Sequence, residues 1–417
     1  MRRVDSLEYR VCNHLVTLAI CCCLAGCGGT SVGGESTSSR DASDAHDART
    51  QQDSSPDTPP PTDDAGRPAD AARDTWDPGD VAAELDTQPG EEPGVLWREG
   101  DCAHPQVEKN CQDGWCLIPA GCFLIGSPKN EVGRVGYEED QATVTFTRPF
   151  QIQQYAFTYG QWLALGLLEQ EDGADQPCID PTCPAAGLTV FEAMLLANLV
   201  SEKHTPALPP CYKLTECDRE LGRGVVCEWF EITAPTLYEC TGFRLPTEHE
   251  WEYAARAGTR TPFYGGGFSP NADPNISDPV LDPIAWYLAN FNMRIHPVGL
   301  KEANQWGLYD MLGNVEEWTN SAYVSYGYGS EPLVDPDGTH IVQKYRTTRG
   351  GSFPFMPVQV RSASRNAQEV IRRQASVRLV RTGAANPGSL PTIHQASTPS
   401  SRGPVETLCP KEPYDEE

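Results

Sequence analysis

The 417-residue sequence is poor in basic charge, with 32 Lys plus Arg against 58 Asp plus Glu and a formal net charge of -26 at pH 7. An acidic surface repels phosphate, which argues against nucleic acid as a partner. The chain has no phosphate-binding glycine loop, which excludes a P-loop. The histidines beyond the first hundred residues, at 104, 204, 249, 296, 340 and 394, show no paired helical spacing. That removes the usual helix-borne pair of imidazole metal ligands. The apolar run Leu15 to Ala25 is too short for a membrane span.

That run has the length of a secretory signal core. Arg2 and Arg3 precede it, and it ends Leu24-Ala25-Gly26-Cys27. This ending resembles a bacterial lipobox, which implies cleavage before Cys27, acylation of its thiol and anchoring on a bilayer. The expected location is the bacterial cell envelope, at the outer membrane or cell surface. Residues 28–100 carry 17 Asp plus Glu against 5 Arg and are otherwise dominated by Ser, Thr, Pro, Ala and Gly. Such a segment buries too little apolar surface to offset chain entropy and reads as a disordered acidic linker. The folded domain is expected over 101–384, with a flexible tail over 385–417.

Sixteen cysteines are many for a reduced compartment, and eleven follow the signal segment. Clustered among loops, they read as disulfides. Cys211, Cys217, Cys227 and Cys240 bracket a polar insertion and are expected to form two bonds among themselves, a stapled hairpin. Zinc is the alternative for these four, against which their spacing lacks Cys-x-x-Cys knuckles.

Three stretches carry a helix-start signature, a Thr followed three residues later by Glu or Gln: Thr158 to Gln161, Thr189 to Glu192 and Thr247 to Glu250. In each, the Thr oxygen can accept a backbone N–H while the Glu or Gln side chain returns to the Thr amide. Phe191, Leu195 and Leu199 mark the apolar face of the second helix, and the third is expected to stop at Gly258. Ala142 to Ile152 alternates, placing Val144, Phe146 and Phe150 on one side of a half-buried strand. Glu248, His249, Glu250 and Glu252 could hold a metal. Their place at a helix start, where negative charge is favoured, argues for a structural role.

Gly307-Leu-Tyr-Asp-Met-Leu-Gly-Asn-Val-Glu-Glu-Trp318 combines the carboxylates of Asp310 and Glu317 with Gly313 and Asn314, types that tolerate left-handed backbone. The result is a turned loop able to aim carbonyls beside two carboxylates, oxygen donors of the kind calcium takes. A solvated acidic turn is the plainer reading of the same spacing. Together with Arg244-Leu-Pro-Thr-Glu-His-Glu-Trp-Glu-Tyr-Ala-Ala-Arg256 and Arg349-Gly-Gly-Ser-Phe353, the loop resembles the formylglycine-generating enzyme, or sulfatase-modifying factor, family. The resemblance runs from about Trp115 to Arg381. It implies an α+β, irregular, loop-rich fold related to C-type lectins, with a few short helices and strands. It also implies a structural calcium held by Asp310, the carbonyls of Gly313 and Val315, and Glu317. Glu316 stands where the family usually has Trp, and the approach to the family's other calcium site, around Asn290 and Pro297, lacks an acidic residue, so that site is not carried over.

Oxidising members of the family use two cysteines after the Gly-Gly-Ser-Phe block as copper(I) ligands, soft thiolates for a soft cation. Here Phe355 and Val360 stand at the matching positions, and no cysteine occurs between Cys240 and Cys409. Nothing in the chain resembles the helical iron-binding domain of related sulfoxide synthases. Two functions follow as alternatives: a calcium-stabilised scaffold that binds a protein, peptide or glycan, or an oxidoreductase of the formylglycine-generating or non-haem-iron type acting on a protein or small molecule.

Overall fold

The computed structural model describes residues 95–383, except 168–177, 179, 326, 330 and 339–343. The signal segment, Cys27, the linker before Val95, the tail and Cys409 lie outside the described residues. In chain order the first strands are β1 (Val95–Glu99), β2 (Cys102–Pro105), β3 (Cys111–Gln112), β4 (Trp115–Ile118), β5 (Gly121–Ile125), β6 (Ala142–Phe146) and β7 (Phe150–Gln153). Helices α1 (Tyr159–Ala164) and α2 (Val190–Lys203) follow, then β8 (Tyr212–Cys217), β9 (Cys227–Ile232) and helix α3 (Glu248–Arg256). The last strands are β10 (Glu317–Ala322), β11 (Leu333–Val334), β12 (Tyr345–Arg349), β13 (Asn366–Glu369) and β14 (Val380–Thr382).

The strands form five small sheets, ordered β1-β2, β14-β7-β4-β3, β11-β6-β5, β8-β9 and β10-β12-β13. This is the expected loop-rich α+β architecture. Val95–Glu99, which composition places in the linker, instead pairs with β2. The single strand read over 142–152 is two, in different sheets: β6 pairs with β5 and β7 with β4. The ladder breaks because Thr147 N–H donates to Asp335 Oδ1 at 2.8 Å, and Pro149 has no N–H to donate.

All three capping boxes form, with Thr158, Thr189 and Thr247 as caps. Helix α3 turns left-handed at Ala257 (φ 45°), one residue before the expected Gly258. Gly258 is itself left-handed, and a Cβ there would come 2.4 Å from Leu96 Cδ2 on β1. The apolar face of α2 is wider than its sequence stripe: Met194, Leu196, Ala197 and Val200 are buried with Phe191, whereas Leu195 and Leu199 are half-buried.

The insertion is the stapled hairpin β8–β9, closed by Cys211–Cys240 and Cys217–Cys227. Cys102–Cys122, Cys111–Cys116 and Cys178–Cys183 complete the pairing, so every described cysteine is in a disulfide. The cap of α2 also holds the hairpin tip. Glu192 Oε2 accepts from Thr189 N–H at 2.9 Å, while Oε1 accepts from the N–H groups of Gly222 (2.9 Å) and Gly224 (2.8 Å). Hydrogen bonds to a buried charged group are worth about 1.5–3 kcal/mol each, so Glu192→Ala is expected to lower unfolding free energy by about 3 kcal/mol in denaturant titrations. Protease cutting within 219–226 should also rise; a loss below about 1 kcal/mol would show that the tip is held by other contacts.

Two large apolar clusters fill the domain, one around Trp251, Tyr253 and Trp306 and the other around Trp162, α2 and Trp318. Between them run arginines that are fully buried, Arg244, Arg349, Arg361 and Arg378 among them. Each has a carboxylate partner: Glu250, Glu252, Glu139 and Glu317, respectively.

Candidate functional site

The loop Asp310–Glu317 lies under both the Gly-Gly-Ser-Phe turn and the 286–299 segment. Asp310 (φ 53°), Gly313 (φ 73°) and Asn314 (φ 60°) are all left-handed, as their residue types allow. A Cβ on Gly313 would come 2.1 Å from the Trp286 carbonyl oxygen, so only Gly fits that approach. Asn314 fixes the other wall: its side chain accepts from His296 N–H and donates to His296 O, both at 3.0 Å, and its own carbonyl accepts from Phe353 N–H at 3.1 Å.

The oxygens of this loop differ in how far the protein already satisfies them. Asp310 Oδ2 accepts from Gly299 N–H at 2.7 Å. Its Oδ1 is buried without a hydrogen-bond partner among the described residues. The carbonyls of Gly313 and Val315 likewise accept no hydrogen bond among the described residues. Burial pushes the Asp310 carboxyl up to about 6, opposed by the Gly299 N–H and by Arg378 and reinforced by the Glu317 charge. An unpartnered carboxylate oxygen and two unpartnered carbonyls in one loop are the oxygen chemistry a hard cation takes.

Glu317 is placed differently from the sequence expectation of an open ligand. Arg378 donates to it through Nη2 at 2.8 Å and Nε at 3.1 Å, and Trp251 Nε1 donates to Oε2 at 2.7 Å. Glu317 is thus the hub joining the loop to α3 and to the segment just before β14, and a cation would share its carboxylate with Arg378. Sequence reasoning missed Arg378 and Trp251 as neighbours of this site, although Trp251 lies in the quoted Arg244–Arg256 block.

Among the other sequence candidates, Glu250 caps α3 and pairs with Arg244, Glu248 pairs with Arg365, and Glu252 bridges Arg256 and Arg349. All three carboxylates are thus committed to structural partners. His249 is buried, its Nδ1 without a partner among the described residues, and burial lowers its pKa to about 4. Asn290 spends its amide on Tyr287 N–H and Ala285 O. At the positions matching the copper ligands, Phe355 is half-buried and Val360 fully buried. No group of three or more His, Cys, Asp or Glu among the described residues is arranged to hold a metal.

Comparison with known proteins agrees with the blocks that carry the resemblance. Residues 103–382 match the sulfatase-modifying factor enzyme 1-like domain. The formylglycine-generating enzyme of Streptomyces coelicolor is 34% identical over 275 residues, covering 63% of this chain and 84% of that one. The protein named chaperone protein LppX from Paenibacillus barcinonensis is 25% identical over 260 residues, 58% of this chain and 79% of that one. The mouse protein named inactive C-alpha-formylglycine-generating enzyme 2 is 34% identical over 140 residues, 31% of this chain and 41% of that one. Among solved structures, Treponema denticola variable protein 1 shares the fold, with a TM-score of 0.51 at 22% identity, 67% of this chain and 100% of that one. With the family domain matched over most of the folded region and the Asp310–Glu317 loop, helix and Gly-Gly-Ser-Phe blocks placed together in space, the chain belongs to the sulfatase-modifying factor (formylglycine-generating-enzyme-like) family.

Proposed function

We propose that this protein is a non-oxidising member of the family, a calcium-stabilised scaffold that binds a protein or peptide ligand at the bacterial cell envelope. The observation that carries it is the identity of the residues after the Gly-Gly-Ser-Phe block. Phe355 and Val360 offer carbon where copper(I) needs thiolate, and all ten described cysteines are committed to disulfides. Relatives named inactive C-alpha-formylglycine-generating enzyme 2 and chaperone protein LppX support a non-oxidising reading.

In this reading Asp310, the carbonyls of Gly313 and Val315, and Glu317 hold the calcium, which supplies positive charge to a buried carboxylate pair and stiffens the loop. An ion bound only by the folded state stabilises by RT ln(1 + [Ca]/Kd), about 2.7 kcal/mol at a hundredfold excess over Kd. Metal analysis of the purified protein is expected to find calcium and neither copper nor iron near one per chain, and chelation to lower the Tm. Asp310→Asn, which keeps size and an oxygen but removes a charge, should lose most of the chelator response. An unchanged Tm in chelator would remove the calcium, and stoichiometric copper or iron would replace the scaffold with an oxidoreductase.

The scaffold is held, in the same reading, by acyl chains on Cys27, with 28–94 as spacer. Cys27→Ser is expected to move the protein from the membrane to the soluble fraction; membrane association that survives the substitution would end the lipoprotein reading.

A further inference from the structure

The loop between β5 and β6 is folded with its polarity reversed. Glu131 and Glu139 turn inward onto the fully buried Arg361, whose Nη1 reaches Glu131 Oε1 at 2.6 Å and Glu139 Oε2 at 2.8 Å. Arg134 turns inward as well, to the carbonyls of Ser127 and Glu139 and to the Asp140 carboxylate. Val132, Val135 and Tyr137 turn outward and are 47%, 50% and 65% exposed. Desolvating three charges while leaving three large apolar side chains in water opposes folding stability. Clustered exposure of this kind marks contact surfaces.

A second segment completes the surface. Gly327 lies so close to the loop that a Cβ there would come 2.1 Å from the Tyr137 carbonyl oxygen. Around it the sequence 323–330 reads Tyr-Val-Ser-Tyr-Gly-Tyr-Gly-Ser, the Tyr, Ser and Gly mixture that gives binding surfaces large contact area at low entropy cost. Tyr323 donates to the Glu138 carboxylate and Tyr328 donates to Glu248 Oε2 at 3.1 Å. The Arg365 guanidinium lies over both rings, at 5.2 and 4.9 Å. Both rings are therefore fixed before any ligand arrives, which lowers the cost of binding. The charge left over is negative: Arg134 is matched by Asp140 and Arg365 by Glu248, while Glu138 and the exposed Glu331 make no ion pair among the described residues. Lys129 is the exposed cation of the 128–140 loop.

We propose that Val132, Val135, Tyr137, Tyr323 and Tyr328 form a docking surface for a cationic polypeptide segment bearing an aromatic or branched aliphatic side chain. This rests on the binding-scaffold reading and names its partner. Apolar anchors of the ligand pack on Val132, Val135 and the Tyr rings, and its Lys or Arg side chains meet Glu138 and Glu331.

The test selects a displayed library of random twelve-residue peptides on the calcium-loaded full chain, then titrates a synthesised winner. Winners are expected to combine Lys or Arg with Trp, Phe or Leu, and Tyr137→Ser with Val132→Ser should weaken them by tenfold or more without changing the Tm. Glu138→Gln should reduce the salt dependence of binding. The surface is overturned by acidic winners, by no enrichment, or by winners indifferent to the substitutions. It is equally overturned if the substitutions convert a dimer to a monomer in sedimentation, or abolish binding to phosphatidylcholine vesicles in place of peptide. Copper or iron in the metal analysis would sink the scaffold reading without moving these titrations. Peptides that bind elsewhere would sink the docking surface and leave the scaffold standing.

Discussion

Acidification from pH 6.5 to 4 is expected to remove about 3 kcal/mol of stability through each of two histidines, His104 and His249. His104 is boxed by Trp97, Tyr253 and Trp306, at ring centroid distances of 5.2, 5.3 and 5.7 Å, and its Nε2 has no partner among the described residues. Burial lowers its pKa from 6.5 to about 4, with the Arg260 charge acting in the same direction and a hydrogen bond to the Pro105 carbonyl opposing. His249 moves equally far, again chiefly through burial. A histidine whose folded pKa is depressed stabilises the fold fully above its unfolded pKa, and that contribution is lost as pH falls toward the folded value. The window is therefore pH 6.5 to 4. Asp310, raised to about 6 in the fold, works in the opposite sense and flattens the parent's curve. The informative quantity is the difference between the parent and His104→Gln or His249→Gln in denaturant titrations across that window. If the variants follow the parent's pH dependence, the buried imidazoles are not the acid-labile groups.

Arg378→Gln is expected to cost about 3–5 kcal/mol, because it leaves Glu317 buried beside Asp310 without a cation. Arg378 also donates to the carbonyls of Gln153 (2.9 Å) and Tyr309 (2.8 Å), so the change unpairs the loop's approach as well. Two buried carboxylates repel, and the proposed calcium would relieve part of that repulsion. The variant's Tm should consequently depend on calcium more steeply than the parent's. Glu317→Gln reverses the sign: it strands the Arg378 guanidinium and removes a proposed calcium ligand, so it is expected to be both destabilised and unresponsive. Replacing both by Met should cost less than either single change, as buried pairs do when both charges are removed. A double variant as unstable as the sum of the singles would show that Arg378 and Glu317 act independently.

The features that were legible in the sequence are those in which cause and effect lie within a few residues. A capping box needs only Thr and a Glu or Gln three residues on, so all three helix starts could be placed. The left-handed tolerance of Gly313 and Asn314 foretold a turned loop for the same reason. Where a local signal met a long-range one, the local reading failed. Alternation over 142–152 could not show that Asp335, 188 residues away, ends the strand at Thr147. Gly258 is left-handed just past the helix end, as read, but the sequence could not show that Leu96 on β1 also leaves no room for a side chain there.

The sequence by itself determined the family, the order of its blocks, the two-bond staple of the β8–β9 hairpin and the absence of thiols beyond Cys240 in the folded region. It could do so because residue type and spacing are covalent facts. Only the tertiary structure decided the partners of the ten described cysteines, and that Glu317 belongs to Arg378 and Trp251 before it belongs to any cation. The arginines look like surface residues in the sequence, yet Arg349 and Arg361 find their carboxylates 97 and 222 residues away. A buried charge is tolerated only where the fold brings its counterion within reach, and no local pattern along the chain records that meeting.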